Sequence, residues 1–150
     1  MSWGISPNLV LCLQVATLLV ALSSTMASGA YTEPRLALMR VTAYHSTAGR
    51  VTLKLEGSFS FADALQLGLP INVIIAQGSL RARLDLAGNV FTSAAGGPEQ
   101  AAPGPGVVGI GEREITLVLP SGFAAGNATA QVVATYDGQQ IASNQLSFLL

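Results

Sequence analysis

Formal charge is missing from the first thirty residues: Met1 to Ala30 contain no Lys, Arg, Asp or Glu. Cysteine and tryptophan occur once each, as Cys12 and Trp3, and both lie inside that uncharged stretch. From Tyr31 onward the chain therefore has no disulfide, no cysteine nucleophile and no thiolate metal site. Histidine and lysine also occur once each, as His45 and Lys54. A His pair is thus excluded, and no Asp-x-Asp calcium loop is present. The Ser-x-x-Lys arrangement fails because Val51 stands three residues before Lys54. No Gly-x-Ser-x-Gly nucleophile elbow exists either. A net charge of −1 leaves no basic footprint for nucleic acid or anionic lipid.

The uncharged stretch has a pattern of its own. Leu9 to Leu22 is an apolar run broken only by Gln14, Thr17 and the weakly apolar Cys12. That length is short for a membrane span and suits the core of a secretory signal. Small residues follow, Ala27-Ser28-Gly29-Ala30, and cleavage before Tyr31 would place Ser28 and Ala30 in the small-residue pockets. A signal usually opens with Lys or Arg, and here only the terminal amine is positive, so an uncleaved anchor competes with a cleaved signal. Residues 1–30 are read as a helical signal peptide or anchor. The expected location is secreted, periplasmic or cell envelope, or membrane-anchored through residues 9–22. A domain outside the cytoplasm without disulfides points to a bacterial envelope rather than an animal secretory route.

Residues 31–150 are long enough for one domain with its own core. Their strongest signal is period-two alternation, the mark of a strand with one buried face. Val51, Leu53, Leu55, Phe59 and Phe61 alternate with Thr52, Lys54, Glu56, Ser58 and Ser60, and Gly57 interrupts the apolar side where a bulge or bend is expected. Leu80, Ala82, Leu84 and Leu86 alternate with Arg81, Arg83 and Asp85, and Gly88-Asn89 turns the chain toward Val90-Phe91. Leu36 to Tyr44 is a less regular strand candidate. Ile71 to Ala76 reads as a central strand covered on both sides or as a short buried helix. Ala62 to Leu67 has room for one helical turn before Gly68 and Pro70. Residues 93–111, crowded with Gly, Pro and Ala, read as a flexible crossing from one sheet to another, with a ligand loop as the alternative.

The second half is clearer. Ile115, Leu117 and Leu119 alternate up to Pro120, and Ala130, Val132, Ala134 and Tyr136 alternate with Gln131, Val133 and Thr135. Asp137-Gly138 accepts positive φ at both positions and closes a two-residue hairpin. The return strand slips register near Ser143-Asn144, because Leu146, Phe148 and Leu150 are even-numbered while Ile141 is not, and a bulge there reconciles the faces. The expected fold is all-β: an antiparallel sandwich of about seven strands in a single domain.

The run from Ile115-Thr116-Leu117-Val118-Leu119-Pro120, through Gly126, the Ala128 to Tyr136 strand, Asp137-Gly138 and Ser143-Asn144, to Leu146-Ser147-Phe148 resembles the closing half of an immunoglobulin-like IPT/TIG domain, or a related bacterial Ig-like module. The resemblance covers residues 115–150, and the family's opening Gly-rich strand motif has no counterpart here. An antibody-type domain is excluded by the missing Cys pair and core Trp. The resemblance implies a non-catalytic module for adhesion, spacing or protein contact, and carries over no active-site residue.

Other patterns bear on chemistry. Gly104-Pro105-Gly106-Val107-Val108-Gly109 matches the dinucleotide fingerprint in letters, but it precedes a strand candidate instead of a helix, and Pro105 removes a backbone donor. A hydrolase would have to use His45 with Asp63 or Asp85 as its orienting acid. Glu112 and Glu114 share a face if extended, able to hold a cation or act as acid and base. Arg81, Arg83 and Lys54 would form a small positive patch if they share one outer face. Asn127-Ala128-Thr129 is a glycosylation sequon, meaningful in a eukaryotic host. For each, the plain structural role outweighs the functional one, so no catalytic, cofactor-binding or metal-ligating residue is assigned and no cofactor is expected. The expected role is an exported, non-enzymatic module whose partner is a protein or cell-surface component. The alternatives are a membrane-anchored subunit of a surface assembly, pairing through residues 145–150, and a small serine hydrolase using His45.

Overall fold

The structure is a computed structural model that describes residues 35–59 and 70–150. The expected N-terminal signal or anchor helix, the Ala62 to Leu67 turn and Phe61 all lie outside the described residues. Every regular element among them is a strand, and every pairing is antiparallel. The strands are β1 (Leu36–His45), β2 (Val51–Phe59), β3 (Ile71–Gln77), β4 (Leu80–Asp85), β5 (Val90–Ser93), β6 (Gln100–Ala101), β7 (Val107–Ile110), β8 (Glu114–Val118), β9 (Asn127–Tyr136), β10 (Gln139–Ala142) and β11 (Leu146–Leu149).

Two sheets result. The first has the order β1-β2-β8-β7. The second runs β10-β9-β3-β4-β5-β6, with β11 also paired to β9, continuing the edge that β10 begins. The alternating residues face one another as expected. Leu53, Leu55, Ile115 and Leu117 from the first sheet and Val73, Ile75, Ala82, Leu84, Ala130 and Val132 from the second belong to one buried cluster. This is a β-sandwich-like arrangement, held by apolar surface that two sheets remove from water together. Truncating one of these large side chains, such as Leu55 or Ile115, costs about 2–5 kcal/mol.

Eleven strands stand among the described residues where about seven were expected. The difference is physical. Backbone pairing needs no large side chains, whereas alternation is a side-chain signal. Residues 93–111 accordingly carry β6, which pairs with β5 in the second sheet, and β7, which pairs with β8 in the first. The stretch does cross between the sheets, but it is anchored on both. The last strand is split into β10 and β11. β3 is central, between β9 and β4, yet its burial alternates: Ile71, Val73 and Ile75 are buried, while Asn72 and Ile74 face outward half-buried. It has one packed face, as antiparallel sheets commonly do, and is neither covered on both sides nor helical.

Three local features match the sequence reading in detail. Asp137 and Gly138 have φ of 49° and 73°, the two left-handed positions of a type I′ turn joining β9 to β10. The Gly88-Asn89 turn is tied by Asp85, whose carboxylate accepts the Asn89 N–H at 2.8 Å and its side-chain amide at 2.9 Å. Opposite Gly57, β1 shifts register between Leu38 and Arg40. A Cβ on Gly57 would lie 2.0 Å from the Ala37 carbonyl oxygen, so the close approach at this bulge requires glycine.

The step at Ser143-Asn144 joins the sheets. Ser143 is buried at 4% exposure. Its N–H donates to the Val132 carbonyl at 2.8 Å, and its Oγ accepts the Val132 N–H at 2.9 Å, replacing the ladder bond lost at the break. Asn144 reaches across to β1. Its Oδ1 accepts the Leu38 N–H and its Nδ2 donates to the Leu38 carbonyl, both at 2.9 Å. One amide side chain thus satisfies both backbone groups of a buried residue beside the β1 bulge.

Candidate functional site

The catalytic candidates are not brought together. His45 ends β1 in the first sheet and is exposed. Asp85 ends β4 in the second sheet, with its carboxylate already occupied by Asn89. Asp63 lies outside the described residues. Glu112 sits in the turn between β7 and β8, where its backbone carbonyl accepts the Phe59 N–H at 2.7 Å. Glu114 is the first residue of β8 and pairs with Lys54 at 2.9 Å. Among the described residues no three His, Cys, Asp or Glu side chains gather as metal ligands. The glycine fingerprint runs into β7, a strand, so no helix N-terminus meets its loop.

The positive patch needs correction. Lys54 lies on β2 of the first sheet, while Arg81 and Arg83 lie on β4 of the second. The residues share a sign but no surface, because they belong to different sheets that each turn their polar side outward. On the first sheet Lys54 joins Glu114 and Glu56, and Glu56 is hydrogen-bonded to Arg40. The Glu114 hydrogen bond raises the Lys54 ammonium above its ordinary value, and the Arg40 hydrogen bond lowers the Glu56 carboxyl. On the second sheet the Arg83 guanidinium takes Glu99 through Nε and Nη2 at 2.9–3.1 Å, and donates from Nη1 to Asn72 Oδ1 at 3.0 Å. It also stacks 4.3 Å from the centroid of the Phe91 ring. The Arg83 hydrogen bond holds the Glu99 carboxyl below the usual carboxylate range. Lys54 and Arg83 are thus each neutralised on their own sheet, while Arg81 on β4 is exposed without a carboxylate partner among the described residues.

The sequon is accessible. Asn127 opens β9 in an exposed position, and with Thr129 and Ser147 it lines a hollow of about 440 Å³ beside β3 that contains no ionisable side chain.

A second depression lies at one end of the sheets and was not legible in the sequence. It holds about 430 Å³, and three connections form it: the β1–β2 turn at Gly49-Arg50, the Pro103-Gly104-Pro105 stretch, and the segment from Pro120 to Phe123. Val51, buried Leu119 and half-buried Phe123 give it an apolar floor. Arg50 is the one charged residue that lines it.

Each wall is fixed from behind. Ser46 donates its N–H to the Arg50 carbonyl at 2.9 Å, and its Oγ accepts the Arg50 N–H at 3.1 Å. Gly106 follows the Pro103 to Pro105 wall at a φ of 65°, where an added Cβ would approach the Gly88 carbonyl to 2.9 Å. Only glycine lets that wall settle on the Gly88 turn. Gln77 holds the third wall. Its Nε2 donates to the Ala124 carbonyl at 2.7 Å, and its Oε1 accepts the Ala124 N–H at 2.9 Å. Chemically the groove can take an apolar group and an anion, with the Ser121 hydroxyl beside them.

Searches of the chain against family models, curated proteins and solved structures find no match.

Proposed function

We propose that the protein is an exported immunoglobulin-like β-sandwich module that makes protein contacts at the cell envelope and carries no chemistry of its own. The single observation that carries this reading is the groove at one end of the sheets, where three loops are held open and pinned on a shared apolar core. Binding residues placed on loops and positioned by a rigid scaffold are the general form of a recognition module. The uncharged leader pattern of residues 1–30 supports export. The IPT/TIG-like run over residues 115–150 supports the immunoglobulin-like reading.

The test is to fractionate cells expressing the full chain and measure its intact mass. A species beginning near Tyr31 outside the cytoplasm is the expected result. A full-length species in the membrane fraction makes residues 9–22 an anchor and places the module on a membrane-bound subunit. Full-length protein free in the cytosol overturns the reading.

A further inference from the structure

We propose that the groove at the Arg50 end binds an extended acidic segment of a partner protein, one Asp or Glu flanked by an apolar residue. The proposal rests on the reading of this chain as a protein-binding module and names the site and the chemistry of its ligand.

Charge selects the anion. Among the described residues Arg40, Lys54 and Arg83 each have a carboxylate partner, whereas Arg35, Arg50, Arg81 and Arg113 are exposed without one, and of these four Arg50 is the one that lines the groove. No acidic side chain lines the groove with it. An unpartnered guanidinium presents a planar fork that matches a carboxylate with two parallel hydrogen bonds. The hydroxyl of Ser121, also at the groove, adds a neutral donor and acceptor.

Shape selects the rest of the ligand. Pro103, Pro105, Pro120 and Phe123 offer apolar walls next to the cation. The volume of about 430 Å³ falls in the range of about 300–1,000 Å³ typical of ligand sites. Yet the groove lies open between loop tips, and small-molecule sites bury most of their ligand. An open groove with one cation fits side chains presented by a continuing chain. The walls are also preset, by the fixed φ of three prolines and by the Ser46, Gly106 and Gln77 contacts behind them. Little loop ordering remains to oppose binding.

The experiment selects phage-displayed random dodecapeptides on the immobilised full chain and measures the enriched peptides by fluorescence polarisation. The expected clones carry Asp or Glu beside an apolar residue. Arg50→Gln should weaken them about tenfold, as should replacing the acid of the peptide by its amide. Ser121→Trp, which places a bulky ring in the groove, should abolish binding, while Arg113→Gln in the β7–β8 turn should leave it unchanged. Thermal melts of the variants confirm that each is folded. Enriched peptides without acids, or binding indifferent to Arg50→Gln, overturn the groove assignment and leave the module reading standing. A failure to enrich any peptide likewise overturns the groove assignment, while the module reading stands or falls by the fractionation. Concentration-dependent self-association that Arg50→Gln abolishes would make the occupant a second copy, and the proposal as stated would fall.

Discussion

Asn144 and Gln77 make the same pair of hydrogen bonds at two places in the molecule, and differ in what they hold. Each primary amide donates to one backbone carbonyl and accepts from the N–H of the same residue, as a paired strand would. Asn144 grips Leu38, a core residue with 4% exposure, and ties the edge of one sheet to the break between β10 and β11 in the other. Gln77 grips Ala124, an exposed loop residue that water reaches freely. Losing the first clasp strands polar groups beside the core, while losing the second exchanges protein partners for water. Identical geometry thus carries different energy, because the cost of an unmade hydrogen bond depends on whether solvent can replace it. The first clasp serves the fold and the second shapes the groove.

The largest effect should come from Asn144→Ala. With Leu38 unsatisfied at the bulge, stability should fall by about 2 kcal/mol, and Tm by about 8 °C for a domain of this size. Chemical denaturation with thermal melting checks this. A loss below about 0.5 kcal/mol would mean that water replaces the clasp, and the contrast with Gln77 would vanish.

Gln77→Ala should cost less, about 0.5–1 kcal/mol, because its partners are exposed. Its signature is local: faster amide exchange at Ala124 and weaker peptide binding in the groove, with β1 and β2 unaffected. The two variants share no partner, so their stability losses should add within about 0.5 kcal/mol. A clear departure from additivity in the double variant would show the sheet juncture and the groove to be coupled.

Legibility in the sequence follows the same division between side-chain period and backbone contact. The strands with alternating Leu, Ile and Val, the Asp137-Gly138 turn and the break at Ser143-Asn144 could be read, because each has a local pattern tied to one backbone conformation. The partner of Asn144 could not, since Leu38 lies 106 positions away and a clasp leaves no periodic trace. β6 and β7 were hidden for a related reason: Gly109 and Ala101 pair through backbone and show no alternation. Lys54 and Arg83 were grouped by charge, and only the strand order reveals that they face away on different sheets. The groove is assembled from Gly, Pro and Ser in three separate segments, which read singly as turns.

The smallest effect concerns Glu99, which holds the crossing segment just before β6. Arg83 keeps its carboxyl below the ordinary value near 4.5, so the charged form is favoured in the folded state. A depressed folded value contributes stability that is present above the unfolded value and is lost as pH falls through the folded one. Wild-type protein should therefore lose a part of its stability below pH 4.5 that Glu99→Gln, lacking the charge at every pH, does not lose. The pair is partly exposed, with side chains 29% and 40% accessible, so solvent screening holds the difference to about 0.5 kcal/mol at pH 7. Urea titrations at pH 7 and pH 3 should show the two proteins converging in acid, and the gap at pH 7 should narrow in 1 M salt. Amide exchange at Gln100 and Ala101 should quicken in the variant while the Asn144 clasp is unchanged. A gap that persists in acid would mean that Glu99 acts by packing rather than by charge, and the crossing would then be held by the β5 pairing alone.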